Sequence, residues 1–282
     1  MCTSIACMKP ALYGRNLDLD TSFGEQLVIV PRAFAFPFRC RPALKNGHAL
    51  IGMAHVENGV PLFAEAMNEK GLYMAGLNFP GYAHYLPEAD CDSANIAPYE
   101  LIPLVLGSCA TLDQARDVLK KVRISAIPFT PGYPLAPLHW HIAGPSGSLT
   151  VEPMEDGLHL YDNPIGVLTN NPPFPFHMMN LNNFQALSPR QPDNHFAPQL
   201  PLQTYGQGMG AMGLPGDASP MSRFVRAAFL KTHADFTGSG DENVVQFFRI
   251  LDAVAMVRGG VVTPNGGQDR TIYTCCADAE RL

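Results

Sequence analysis

Cys2 stands directly behind Met1, and Gly14-Arg15-Asn16-Leu17-Asp18 follows a dozen residues later. Removal of the initiator methionine would make Cys2 the first residue. A first-position cysteine carries two reagents at once: a thiol that ionises to a nucleophile, and a free α-amine of ordinary pKa ~7.7–8.0 that can move a proton. That is the chemistry of an amidase whose nucleophile is its own N-terminal residue. Such a reaction also needs a cation that favours the thiolate and donors for a tetrahedral oxyanion.

Four later segments extend the pattern. Asn68-Glu69-Lys70-Gly71-Leu72 runs into Ala75-Gly76-Leu77-Asn78-Phe79-Pro80; Leu138-His139-Trp140 comes next, then Gly166-Val167-Leu168-Thr169-Asn170-Asn171-Pro172. Last, Gly213-Leu214-Pro215-Gly216-Asp217 leads to Ser222-Arg223-Phe224. With Cys2 and Arg15-Asn16-x-Asp18, their order and approximate spacing resemble the choloylglycine hydrolase family, the bile salt hydrolases and penicillin V acylases. The resemblance runs from residue 2 to about Cys276. It implies Cys2 as nucleophile, Arg15 and Arg223 as the cations beside its thiol, and Asp18 as the carboxylate that orients the α-amine, with Asp20 as the rival. It implies Asn78 and Asn170 as the oxyanion pair, one through a backbone N–H and one through a side-chain amide, with Asn171 as the rival for the second.

Asn78 within Gly76-Leu77-Asn78-Phe79-Pro80 resembles the bile salt hydrolase branch, so the expected substrates are glycine- or taurine-conjugated bile salts. An acylase acting on penicillin V or other N-acyl amines is the alternative, and an inactive amphiphile-binding relative is a third reading. Phe23, Tyr82, Phe129, Tyr133 and Leu135 fall in expected loops, with Pro128, Pro131, Pro134 and Pro137 stiffening one of them. They are candidates for an apolar pocket wall suited to a steroid or aryl acyl group. The family resemblance also implies a homotetramer. It further implies additional strands after Tyr273-Thr274-Cys275-Cys276; with the sequence ending at Leu282, an exposed sheet edge is expected there.

Composition bounds the rest. The 282 residues are 46% hydrophobic and 16% charged, a globular composition with ample core, read as one domain over residues 1–282. A formal charge of −6 with no basic run points away from nucleic acid and anionic membranes. No apolar stretch approaches the ~20 residues of a membrane span, and Lys9-Pro10 interrupts any signal-peptide core. The seven cysteines include no CxxC, which indicates neither a disulfide framework nor a zinc site and suits a reducing cytoplasm. No cofactor or metal is expected.

The elements that must position these residues follow from periodicity. Leu27–Val30 reads as a strand; Pro61–Met67 and Leu72–Leu77 read as a hairpin, as do Leu138–Ala143 and Ser148–Glu152. Thr111 caps a helix with Leu112, Ala115, Val118, Leu119 and Val122 on one face, and Phe224–Lys231 and Asn243–Val257 are two more. The layout is α+β, and the family resemblance sharpens it to a four-layer αββα sandwich of the N-terminal-nucleophile hydrolase type. Three features are set aside. Gly208-Met209-Gly210-Ala211-Met212-Gly213 matches GxGxxG without a flanking strand and helix, so it reads as a loop, a pocket wall by resemblance. His139 and His141 read as core or strand-surface histidines, and Cys275-Cys276 as packing at a strand end.

Overall fold

In the computed structural model, which describes residues 1–87 and 93–282, two antiparallel sheets face each other with helices outside both. The smaller sheet runs, edge to edge, Val167–Leu168, Cys2–Met8, Ala11–Leu19, Gln268–Asp278 and Val261–Val262. The larger runs Gly157–Asp162, Gly147–Met154, Leu138–Gly144, Tyr73–Asn78, Val60–Asn68, Leu50–Glu57 and Gln26–Val30. Both expected hairpins are present, pairing Met67 with Tyr73 and Ala143 with Ser148.

The layering follows from where alternate side chains go. Along Tyr73–Asn78, Tyr73, Ala75 and Leu77 join the core shared with the smaller sheet, whereas Met74 joins the core under the helices Leu101–Ser108 and Leu112–Leu119. Helices Pro220–His233 and Gly240–Asp252 cover the far side of the smaller sheet through Phe224, Ala228, Phe247 and Ile250. The result is helix, sheet, sheet, helix.

Cys2–Met8 and Ala11–Leu19 are thus sandwiched between sheet and helices, and nearly every residue in them is buried. Gly14 shows how tight this is: a Cβ there would lie 2.0 Å from the Cys275 carbonyl oxygen and 3.0 Å from Phe247, so a side chain would force the strands Ala11–Leu19 and Gln268–Asp278 apart. One edge of Gln268–Asp278 pairs with Ala11–Leu19; the other pairs only with Val261–Val262, so from Arg270 onward that outer edge has no strand partner among the described residues.

Helix boundaries differ from the periodicity at two places. Thr111 caps Leu112–Leu119 as expected, accepting from Gln114 N–H. The Arg223 helix, however, begins at Pro220, because Ser219 caps it and the proline ring suits a first helical turn. The last helix starts at Gly240 behind a Ser239/Glu242 capping box and stops at Asp252, short of Val257. Tertiary bonds end it: the Ala253 carbonyl accepts from Arg226 Nε at 2.8 Å, and Met256 N–H donates to Thr271 at 2.8 Å. The 208–213 glycine run is a loop with a single turn at Met209–Ala211, packed on Ser188 rather than lining the main cavity. Its expected place in the pocket wall is therefore corrected. No helix among the described residues is long and apolar enough to cross a membrane.

Candidate active site

A cavity of about 390 Å3 opens over Cys2. The alternation of Ala11–Leu19 points Arg15, Leu17 and Leu19 into it together. Phe23, Phe129, Tyr133 and Leu135 line it as expected, with Pro128 and Pro134; Tyr99, Ile102 and Ile127 join them. Tyr82 does not. It is 40% exposed and stacks on the buried Phe79. Cys2, Arg15, Asn78 and His55 are the main polar groups on a wall that is otherwise largely apolar.

Arg15 is fully buried and tied to backbone by Nη1, which donates to the Gly76 carbonyl and, at 3.4 Å, to the Ala64 carbonyl. Glu65 Oε2 lies 3.6 Å from the same nitrogen, and Glu65 in turn accepts from Tyr273 at 2.8 Å and from the Cys275 thiol at 3.4 Å. Burial opposes the guanidinium charge, but the neighbouring Cys2 and Glu65 overcome it and hold Arg15 above its ordinary value. Its Nη2 is buried without a partner. That unspent donor belongs to a side chain that lines the cavity with Cys2.

Arg223 is used differently. Its Nε donates to the Ala218 carbonyl at 2.9 Å, Nη1 to the Cys2 carbonyl and to Thr3 Oγ1, and Nη2 to Asn170 Oδ1 at 2.7 Å. Burial lowers its pKa to about 10 despite Asp18 and Cys2 nearby, so it stays charged at neutral pH. The expected pair of cations is thus divided: Arg223 bonds the Cys2 carbonyl, Thr3, Asn170 and Ala218, and Arg15 keeps a nitrogen without a partner. Asn170 Oδ1 also accepts from Cys2 N–H at 2.9 Å, while Nδ2 donates to the Asn78 carbonyl at 2.7 Å, leaving a second N–H. Asn171 makes none of these contacts.

Asp18 is buried beside the N-terminal segment, its N–H donating to the Met1 carbonyl at 2.9 Å, whereas Asp20 is exposed. One carboxylate oxygen accepts from Thr271 at 2.6 Å; the other is buried without a partner. Burial raises its pKa, offset in part by Thr271, Arg223, the N-terminal amine and Arg15. Thr271 reaches it because the pairing slips by one residue between Thr271 and Tyr273, and a second slip, between Met53 and Ala54, places Ala64 beside Arg15. All six expected site residues are joined in one hydrogen-bonded and electrostatic cluster around Cys2.

Comparison with known proteins decides the family. Residues 2–281 match the model for linear amide C–N hydrolases of the choloylglycine hydrolase family. The chain belongs to that family. It is 43% identical to a bile salt hydrolase/transferase of Lactiplantibacillus plantarum and 37% identical to one of Clostridium perfringens, each match covering 100% of this chain and 87% of the relative. The crystal structure of the C2A variant of the Clostridium perfringens conjugated bile acid hydrolase superposes with a TM-score of 0.90 at 37% identity, over 99% of this chain and 87% of that one. A penicillin V acylase from Agrobacterium tumefaciens shares the fold, with a TM-score of 0.76 at 21% identity, over 100% of this chain and 80% of that one.

Several groups around the hydrolase site escape sequence reasoning. Glu65, Tyr273 and Cys275 support Arg15, and Thr271 supports Asp18; the partly buried Cys275 is therefore bonded to Glu65 and not mere strand-end packing. An acid in the middle of the apolar run Pro61–Met67 was the one available signal for Glu65. Cys2, Cys7, Cys109, Cys275 and Cys276 are free thiols, but Cys40 is disulfide-bonded, contrary to the cysteine-spacing expectation; Cys91 lies outside the described residues. Among the described residues no group of three His, Cys, Asp or Glu could hold a metal.

His139 and His141 are both fully buried, His141 Nδ1 lying 2.9 Å from Ser4 Oγ. Burial pushes His141 down to about 3 and His177, on the helix Phe174–Asn180, down to about 4. Because these folded-state values lie below the ordinary ~6.5, the unfolded chain of the hydrolase binds more protons in between. Their stabilising contribution is complete above about pH 6.5 and is lost as pH falls toward 4 and below. The urea midpoint should drop from pH 7 to pH 5, and His141→Asn should flatten that drop. An identical slope in the variant would remove His141 from the account.

Proposed function

We propose that this hydrolase cleaves the amide bond of glycine- or taurine-conjugated bile salts, with Cys2, freed by loss of Met1, as nucleophile. The observation that carries the reading is the cavity: a largely apolar chamber of about 390 Å3 whose few polar groups include Cys2, Arg15 and Asn78. The names borne by the relatives, bile salt hydrolase/transferase and conjugated bile acid hydrolase, support the same substrate class.

In this mechanism the Cys2 thiolate, favoured by the free Arg15 donor, attacks the substrate carbonyl carbon and the C=O π pair moves onto oxygen. The second N–H of Asn170 Nδ2 and the Asn78 backbone N–H take the oxyanion. Collapse re-forms the C=O and breaks the C–N bond, the Cys2 α-ammonium giving its proton to the departing amine. Water then attacks the thioester, losing a proton to the α-amine, and the bile acid leaves as the thiolate is restored. Asp18 suits the role of holding that α-amine, since it has one buried oxygen without a partner beside the segment that removal of Met1 would open. Arg223 serves by fixing the backbone of Cys2 and the side chain of Asn170.

The proposal treats residues 1–282 as one domain that assembles as a homotetramer in the cytoplasm. Five free thiols suit a reducing setting, and the Cys40 disulfide does not. Amine release from glycocholate, taurocholate and penicillin V is the test. Conjugated bile salts should give the higher kcat/KM; equal or better cleavage of penicillin V would move the chain to the acylase reading, and binding of all three without release would make it an inactive amphiphile binder.

A further inference from the structure

Two buried histidines on different elements grip consecutive carbonyls of the segment that carries Asn170. His139, in the strand Leu138–Gly144, directs Nε2 at the Thr169 carbonyl, 3.1 Å away. His177, in the helix Phe174–Asn180, directs Nε2 at the Asn170 carbonyl, 2.8 Å away. A carbonyl can only accept, so each Nε2 carries a hydrogen. Both rings are fully buried.

Glu152 prepares both donors. Its Oε1 lies 3.1 Å from His139 Nδ1, which holds that ring in orientation. Its two oxygens also accept from Phe174 N–H, at 3.0 and 3.1 Å, and Phe174 opens the helix that bears His177. Each imidazole lies against an aromatic face, His139 on Phe79 with centroids 4.3 Å apart and His177 on Phe224 at 4.7 Å. Those aromatics are the residues immediately after Asn78 and Arg223, the same two that bond the Asn170 side chain. The Asn170 backbone and carboxamide are therefore held by one connected set of groups.

We propose that His139 and His177 are paired positioning residues for amide hydrolysis, fixing the Asn170 backbone so that its carboxamide keeps one N–H aimed where the oxyanion forms. This rests on the oxyanion role proposed above for Asn170. A donor of this kind acts only if it is already aligned when charge develops, and a displacement of about 1 Å costs on the order of 10²-fold in rate. Hydrophobic packing alone would not require two N–H groups on two adjacent carbonyls.

The experiment compares Asn170→Ala, His177→Leu, His177→Gln and the double variant N170A/H177L, with glycocholate as substrate, iodoacetamide as probe of Cys2, and urea midpoints to establish folding. H177L should lower kcat by about 10- to 100-fold with KM and the Cys2 alkylation rate nearly unchanged. H177Q, whose amide nitrogen reaches a similar point, should restore most of the rate. H177L added to N170A should cost little more, because its effect runs through Asn170. Full additivity in the double variant, a change confined to KM or stability, or an H177Q as slow as H177L would overturn the proposal. If H177L does not fold, His177→Asn, whose amide stops short of the carbonyl, carries the same comparisons. A slow N170A beside a fast H177L removes only the positioning role; an N170A with undiminished kcat removes the oxyanion reading and the positioning role with it.

Discussion

Cys2→Ser should fold like the parent chain and lose hydrolysis by roughly 10⁴-fold or more, the scale of removing a covalent nucleophile. The substitution is nearly isosteric, and Cys2 is 2% exposed with its N–H and carbonyl bonded to Asn170 and Arg223, so the backbone contacts survive. What changes is the nucleophile. A hydroxyl is intrinsically a far poorer nucleophile than a thiol, and the site offers serine no strong base in exchange. The urea midpoint should stay within experimental error of the parent while amine release from glycocholate disappears. Intact mass should show the active chain lighter by one methionine, since the α-amine of Cys2 cannot act as base while acylated by Met1. Residual activity near a tenth of the parent, or a fully active preparation that keeps Met1, would sink the mechanism.

Arg15→Met should cost on the order of 10²-fold or more in kcat/KM and slow iodoacetamide labelling of Cys2 at pH 7. The direction follows from charge: a neighbouring cation stabilises negative charge on the sulfur, and methionine supplies none. Methionine retains much of the aliphatic length but leaves Glu65 buried without its cation, so part of the effect will appear as lost stability. Arg15→Met with Glu65→Gln separates the two, because the paired change removes the stranded carboxylate. An Arg223 variant is the contrast. Its donors go to Cys2, Thr3, Asn170 and Ala218, so it should depress kcat with a smaller change in the labelling rate. Should the labelling rate fall with Arg223 and not with Arg15, the division of labour between the two arginines is reversed.

The nucleophile, the motif order and most strands were legible in the sequence. Cys2, Arg15-Asn16-x-Asp18 and the Asn78 and Asn170 segments are local patterns, and the hairpins at Pro61–Leu77 and Leu138–Glu152 follow from alternation and turn residues within a few positions. The Thr111 cap is equally local. Periodicity makes Asn243–Val257 helical to its end, but the 253–257 backbone is drawn off by Arg226 and Thr271, partners 27 and 15 residues away. Tyr82 looked like pocket wall by composition, and the local turn aims it at Phe79.

The sequence by itself therefore determined which side chains could do the chemistry, because nucleophilicity, charge and amide donors are properties of residue type. Only the tertiary structure decided how they share the work. Arg15 and Arg223 are chemically identical, yet a bulge and a buried glutamate leave one with a nitrogen that has no partner, while two backbone and two side-chain acceptors engage every nitrogen of the other. Asp18 was separated from Asp20 by burial, and Asn170 from Asn171 by where a strand end meets Cys2, Asn78 and Arg223. Those distinctions come from contacts between segments up to 253 residues apart, as with Asp18 and Thr271, and no local pattern encodes them.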